Sequence, residues 1–353
     1  MRSLIAPVSV ALVCLLATMS PAAEMGGYAF APDASAAGSA CGMGATCGPE
    51  FDACGDSCFA GGYGDCCPAT WTVHADALFL TRSDAKSQTL VTDGSEEVMN
   101  TSDFDFGYQT GLDFQLIHHT CYGWDVEAAF MMVDWWQDSR TVTGTGLSAD
   151  GAWNGGFGGG DEVVGRYGSS LYSTEVNLRR PMAGGIITPL IGFRWIDLHD
   201  EFMLDMTQTS GSYVPGIVSA TNVDNHLYGL QIGGDFVIVD TCKFRVETLL
   251  KAGIYGNVAD QRTYSTNQGI GVVGAAEANK TTTAFAGDVK LTGEYKITDG
   301  VSLRAGYQVM WLEGVALAPE QWDNTDLTGG TATLDDEGSP LYHGAFAGVE
   351  IRR

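Results

Sequence analysis

The sequence predicts an all-β fold: an antiparallel transmembrane β-barrel of about ten strands. Three observations predict it. From Trp71 onward, apolar and polar residues alternate with period two over segments of about ten residues. A tilted strand needs roughly 9–11 residues to cross a bilayer, whereas soluble strands are commonest at about five to six. The polar face of these segments carries charges of both signs beside glycines, as expected of a wall that is apolar outside and wet inside. Connections alternate between short and long, which fits barrels with short periplasmic turns, long outer loops and an even strand number. A soluble β-sandwich is the alternative, and it has no reason to lengthen every other connection.

Composition narrows the partners. The 353 residues include 43 acidic and 18 basic side chains, a net charge of −25. That balance argues against a nucleic-acid partner, because neutralising phosphates needs a Lys/Arg surface. The 47 glycines, 8 tryptophans and 13 tyrosines suit loosened strands and interfacial aromatic belts. After the N-terminus no apolar run reaches the roughly 18 residues of a membrane helix.

Taken in order, residues 1–23 read as a signal peptide. Arg2 precedes an apolar core from Leu4 to Leu16, and Ser20-Pro21-Ala22-Ala23 suits cleavage. Cys14 lies within that core and lacks a lipoprotein box. Residues 24–70 form a Cys/Gly-rich, poorly ordered leader with Cys41, Cys47, Cys54, Cys58, Cys66 and Cys67. Their spacing matches no zinc pattern, and in an oxidising compartment disulfides are the default. Residues 71–353 make the barrel, with strands at about 71–81, 104–117, 122–135, 171–180, 187–198, 226–238, 243–255, 283–297, 301–313 and 341–351.

The pattern is clearest in Leu227–Gly256. Tyr228, Leu230, Ile232, Phe236 and Ile238 share one face of the first strand; Phe244, Val246, Leu250 and Ile254 share one face of the second. Gln109-Thr110-Gly111-Leu112-Asp113-Phe114 repeats as Gln231-Ile232-Gly233-Gly234-Asp235-Phe236, and each copy is followed by a turn cysteine, Cys121 or Cys242. Duplication and convergence of barrel hairpins both explain this repeat. Phe104, Phe106, Tyr108, Leu112 and Phe114 are expected on one lipid-facing stripe. Thr298-Asp299-Gly300 is a tight hairpin turn. The 187–198 strand is the least regular, because apolar Ile196 falls on the face of Arg194.

In the last strands a family comes into view. Residues 306–319, GYQVMWLEGVALAP, and residues 341–350, LYHGAFAGVE, resemble the beta-barrel porin seven family of planctomycete-type outer-membrane barrels. The entry strand from Trp71 and the Gly107–Asp113 stretch are similar too. The resemblance implies a pore in the bacterial outer membrane, and it carries no catalytic residues over. One departure is the end: such strands commonly finish on an aromatic residue, whereas this chain finishes Ile351-Arg352-Arg353.

The period places Asp105, Asp113, Asp125, Glu127 and Glu175 on the lumen side. It also places Arg179, Arg194, Asp235, Arg245, Glu247 and Lys251 there, with Asp288, Lys290, Glu294 and Arg304 completing the set beside Asp76 and Glu350. Such charges must pair or stay wet. They form either a stabilising network or a charged pore lining. Ten strands lie near the filled end of the barrel series, which favours a narrow or plugged lumen. A structural or surface-display role, anchored by the barrel and cross-linked through cysteines, is the alternative. Eight cysteines are candidates for disulfides, the six of the leader with Cys121 and Cys242. An outer-membrane hydrolase is a third reading: His199-Asp200-Glu201 and His226 lie near outer strand ends, but no nucleophile is marked. The expectation is no enzyme, no cofactor and no bound metal, with outer-membrane lipids as the partner and other envelope proteins reached through cysteines. The acidic residues Glu320, Asp323, Asp326, Asp335, Asp336 and Glu337 of the last loop suit weak Ca²⁺ binding or simply a solvated surface.

Overall fold

A computed structural model describes residues 70–353, apart from 121, 150–156, 183, 208–215, 268 and 270. All belong to one compact unit. The signal-peptide and leader readings, and the leader cysteines, lie outside the described residues.

Ten strands close a ring. In chain order they are β1 (Trp71–Arg82), then β4 (Gln109–His119), β5 (Asp125–Ala149), β6 (Phe157–Arg179), β7 (Ile187–Thr207), β8 (Ile217–Asp240), β9 (Phe244–Asn267), β10 (Gly271–Thr298), β11 (Val301–Glu313) and β14 (Leu341–Arg352). Four short strands stand outside the ring: β2 (Thr89–Asp93), β3 (Glu96–Asn100), β12 (Thr325–Asp326) and β13 (Thr331–Ala332). Around the ring each strand pairs antiparallel with its neighbours, and the seam closes where β1 meets β14, with Ala77 opposite Ala347. Closure leaves no unpaired edge at membrane depth, which hydrocarbon demands. The termini of the ring and its short turns share one end, called the inner end below.

The wall is uneven in height. β1, β4, β11 and β14 have 11–13 residues, while β5 to β10 have 21–28. A crossing takes roughly 9–11 residues, so about half of each long strand stands beyond the membrane. The outward face marks the border. On β7, Ile191, Phe193 and Trp195 give way to Asp197, His199 and Glu201. On β9, Ile254 and Val258 give way to Asp260 and Arg262. Exposed Trp71, Trp124, Phe244 and Tyr295 ring the inner border, and Trp135, Tyr228 and Trp311 the outer one.

Above that border the faces invert. On β7 the inward residues turn apolar at Ile196, Leu198, Phe202 and Leu204, joined by Val223 and Leu227 of β8, while β9 keeps uncharged polar residues inward, Asn257, Gln261, Thr263 and Ser265. The irregular sequence pattern at Ile196 is this transition, from a polar lower lumen to an apolar upper one. A bulge on β5 retunes another strand. Asp134 and Trp135 together oppose Ser170, and Trp135 takes φ 61°. The extra residue shifts the period by one, so Val133 and Trp136 both face inward while Trp135 faces out. Trp136 is fully buried, and its Nε1–H donates to the Leu80 carbonyl at 2.9 Å.

Two expectations change. The connections at 136–170, 199–225 and 256–282 were expected to be long loops; most of their length is continuing strand. The period persists there, but polar residues face outward because water replaces lipid. The second strand was expected from 104 and begins at Gln109. Phe104 and Phe106 leave the lipid-facing stripe and pack inside, against Tyr167. The upper edge of β5, left free by short β4, is partly covered by β2, with Val91 opposite Ala149.

Candidate lumen and its closure

The lower lumen is filled by charge pairs, some between neighbouring strands and others reaching across to non-adjacent ones. Arg179 on β6 reaches Glu127 on β5 at 2.6 Å and Asp235 on β8. Arg194 on β7 pairs with Asp288 on β10, with Glu175 at 3.3 Å, and donates to Ser173 Oγ at 2.8 Å. Lys251 on β9 reaches Glu175 at 2.7 Å. Lys290 on β10 holds Asp113 on β4 at 2.7 Å and Asp76 on β1 at 3.0 Å. Asn177 and Gln231 fill the remaining acceptor sites of Glu127 and Glu175. Buried ions cost several kcal/mol each unless paired and hydrogen-bonded, and each of these charges stands beside an opposite one.

Nearer the inner end, Arg304 lies 3.6 Å from Asp76, Arg245 pairs with Glu247 at 3.1 Å, and Asp125 with His119 at 3.0 Å. Glu294 stands buried beside Arg352, 3.8 Å away. The structure therefore brings together Asp113, Asp125, Glu127, Glu175, Arg179, Arg194, Asp235, Arg245, Glu247, Lys251, Asp288, Lys290, Glu294 and Arg304. Asp105 is the exception: it is exposed on the segment before β4, and its N–H donates to Asp138 Oδ2 at 3.0 Å. Its period was right but its strand was not, because the chain has left the wall at that point.

The upper lumen holds an apolar core with a plug. Residues 314–339 leave β11 and fold inward: Val315, Ala316, Leu317, Ala318, Trp322, Leu327 and Leu334 are buried against the wall. Gly314 makes the turn with φ 81°, a conformation that disfavours side chains. Asn225 on β8 clamps the plug twice: its Nδ2 donates to the Ala316 carbonyl and its Oδ1 accepts from the Ala316 N–H, both at 2.8 Å. Asn257 donates to the Gly314 carbonyl at 3.2 Å, and Gln261 to Thr325 Oγ at 2.8 Å. Below the plug, Arg82 and Asp200 pair at 2.5 Å across the lumen, and Tyr167 donates to the same carboxylate at 2.8 Å. Asp200 also accepts from the Ala318 N–H at 3.0 Å. Asn225, Asn257 and Gln261 carry no charge, so the sequence offered no signal for them beyond inward parity.

The acidic last loop is largely tied to the protein. Glu320 is buried and accepts from the Lys86 N–H at 3.1 Å. Asp336 meets Lys280 at 2.7 Å and Glu337 meets Lys86 at 3.3 Å. Asp326 accepts from the N–H groups of Thr328 and Gly329, closing its own turn. The two rim histidines face outward, above the aromatic belt: His199 meets Asp224 at 2.7 Å and His226 meets Asp197 at 3.3 Å. Cys242, in the β8–β9 turn, is disulfide-bonded. It is the single cysteine among the described residues.

A closed antiparallel ring with an apolar belt, aromatic borders and a charged interior defines a porin-like barrel of the bacterial outer membrane. The family model described as "Putative beta barrel porin-7" matches residues 165–336, and this bears out the resemblance read from the sequence. The match takes in GYQVMWLEGVALAP and ends before the second motif, at 341–350. No curated protein matches the chain. Among solved structures, the outer membrane protease OmpT from Escherichia coli is 9% identical, covers 81% of this chain and 97% of its own, and has a TM-score of 0.46. The Pseudomonas putida toluene transporter TodX is 11% identical over 81% and 90%, with a TM-score of 0.19. An anion-selective porin from Comamonas acidovorans is 8% identical over 80% and 100%, with a TM-score of 0.14. At these scores no argument about function rests on the three.

Proposed function

We propose that the barrel is a plugged porin: a passage held shut in the state described, which conducts only when residues 314–339 move. One observation carries this reading. The lumen is occupied along its height, by crossing ion pairs below and by the Asn225-clamped plug above. Single-channel recording in planar bilayers tests it. The wild-type chain should be almost silent, and a variant with residues 316–337 replaced by a short Gly/Ser link should give small steps. Those steps should favour cations, because the charge of −25 raises their local concentration. Large stable steps from the wild type would refute the plug. Silence from the folded, plug-less variant would favour the anchoring role.

The role is non-catalytic in this proposal. The two rim histidine–aspartate pairs face away from the lumen mouth, so a molecule entering the barrel would not meet them. Residues 1–23 direct export, outer-membrane lipids surround the apolar belt, and the leader cysteines tether the inner mouth through the rim cysteines Cys121 and Cys242. Non-reducing peptide mapping, with free thiols alkylated first, should recover Cys242 joined to a leader peptide within the same chain. A bond between chains would turn the tether into a link to other envelope proteins, and an alkylated Cys242 would sink it.

A further inference from the structure

At the inner mouth, beside the seam where β1 meets β14, three groups converge that the ion-pair lattice does not use up. His74 projects from β1, Glu350 from β14 and Glu294 from β10, all buried, with one ligand atom of each within 4.8 Å of the others. His74 Nδ1 is hydrogen-bonded to Gln115 Oε1. An amide oxygen only accepts, so Nδ1 carries a proton; Nε2 carries a lone pair in the neutral ring and a second proton in the imidazolium. Nε2 points at Glu350 Oε2, 2.9 Å away. An ionised carboxylate has no proton to offer, so a positive charge belongs between the two, supplied by a second ring proton or by a metal ion.

Glu294 supplies the second, independent observation. Its Oε2 is buried and accepts no hydrogen bond. Arg352 stands 3.8 Å from it and 2.6 Å from Glu350 Oε1. Arg304 and Arg245 stand opposite Glu294 on the neighbouring strands, but Arg304 shares Asp76 with Lys290 and Arg245 pairs with Glu247. With the imidazole neutral, two carboxylates around one arginine leave one negative charge over, which a bound cation would balance.

We propose that His74, Glu294 and Glu350 bind a divalent transition-metal ion of the zinc class. Zinc takes imidazole nitrogen and carboxylate oxygen at about 2.0–2.2 Å, which sets tetrahedral donor atoms roughly 3.3 Å apart. The observed spacing needs only small side-chain rotations to meet that. The Gln115 contact is the outer hydrogen bond that a ligating histidine characteristically makes, fixing which nitrogen binds. Because the ligands come from the first strand, the last strand and β10, the ion would staple the ring across its closing seam. Ligands that meet only in the folded chain turn binding energy into folding energy.

The test uses the mature chain folded in detergent, disulfides intact and free thiols alkylated, stripped with EDTA and reloaded with Zn²⁺. Elemental analysis after desalting should give one zinc per chain. Glu294→Gln should fall to background, and outer-wall His226→Asn should not change. Zinc should raise the Tm of the wild type and leave that of Glu294→Gln unmoved. X-ray absorption on the wild type should show nitrogen and oxygen ligands, a readout that needs no variant to fold. Zinc at background in the wild type, full loading of Glu294→Gln, or sulfur ligation would each overturn the assignment.

Discussion

At the scale of single residues, position relative to the membrane border decides what a charged group does. Arg82 and Asp200 are enclosed on all sides, and their pairing joins opposite walls. His199 and His226 stand just above the border, within reach of water. Donating a hydrogen bond to the Asp224 carboxylate raises the His199 pKa, and the Asp197 carboxylate beside His226 raises that of His226. The Asp224 pKa is lowered in return, by its bond to His199. The signs follow from linkage. A histidine with a raised folded pKa contributes fully below its unfolded value, roughly 6.5, and the contribution fades as pH rises through the folded pKa. The lowered Asp224 contributes above roughly 3.9 and loses that as pH falls through its folded pKa. Melting curves of the wild type and His199→Gln should therefore differ most near pH 5–6 and converge by about pH 9. A gap that widens toward alkaline pH would contradict the assignment.

At the scale of elements, the plug depends on few wall contacts. Asn225→Ala would leave the Ala316 N–H and carbonyl buried without their partner, a cost of about 1–3 kcal/mol for each unsatisfied group. Hydrogen exchange over 314–339 should accelerate in that variant, while the β8–β9 hairpin at membrane depth stays protected. Equal exchange in both proteins would show that apolar packing alone seats the plug. The same elements show what the sequence could disclose. In the bilayer-crossing halves, lipid outside and charge inside give one unambiguous stripe, so Leu230, Ile232, Leu250 and Ile254 were placed correctly from alternation alone. Beyond the border, Asp260 and Arg262 broke the stripe and looked like a loop, although the period continued. Phe104 and Phe106 kept the period but lost the strand, since alternation does not report where a chain leaves its sheet. The plug was hidden for a different reason: Gly, Ala and acidic residues compose a polar loop as readily as a lumen-filling one.

At the scale of the molecule, strand bookkeeping fixes orientation. Four short turns and both ring termini share one end, and the tall wall, plug and acidic loop share the other. Barrels of this class place short turns in the periplasm. An epitope tag at Gly146 should be reached by antibody on intact cells, and one at Asp299 only after the outer membrane is breached. The reverse pattern would turn the molecule over.

The inversion of faces along the long strands also works as a waterline. Strands advance about 3.3 Å per residue. Sinking the molecule by even two residues would carry Asp197, His226 and Asp260 into hydrocarbon on three adjacent strands. Raising it equally would lift Trp195, Tyr228 and Val258 into water. Both displacements are opposed, and by residues of several adjacent strands at once. Because only β5 to β10 carry the tall wall, the restoring force is lopsided. A bilayer too thick or too thin should therefore make this barrel lean rather than bob, as a hull weighted along one side does.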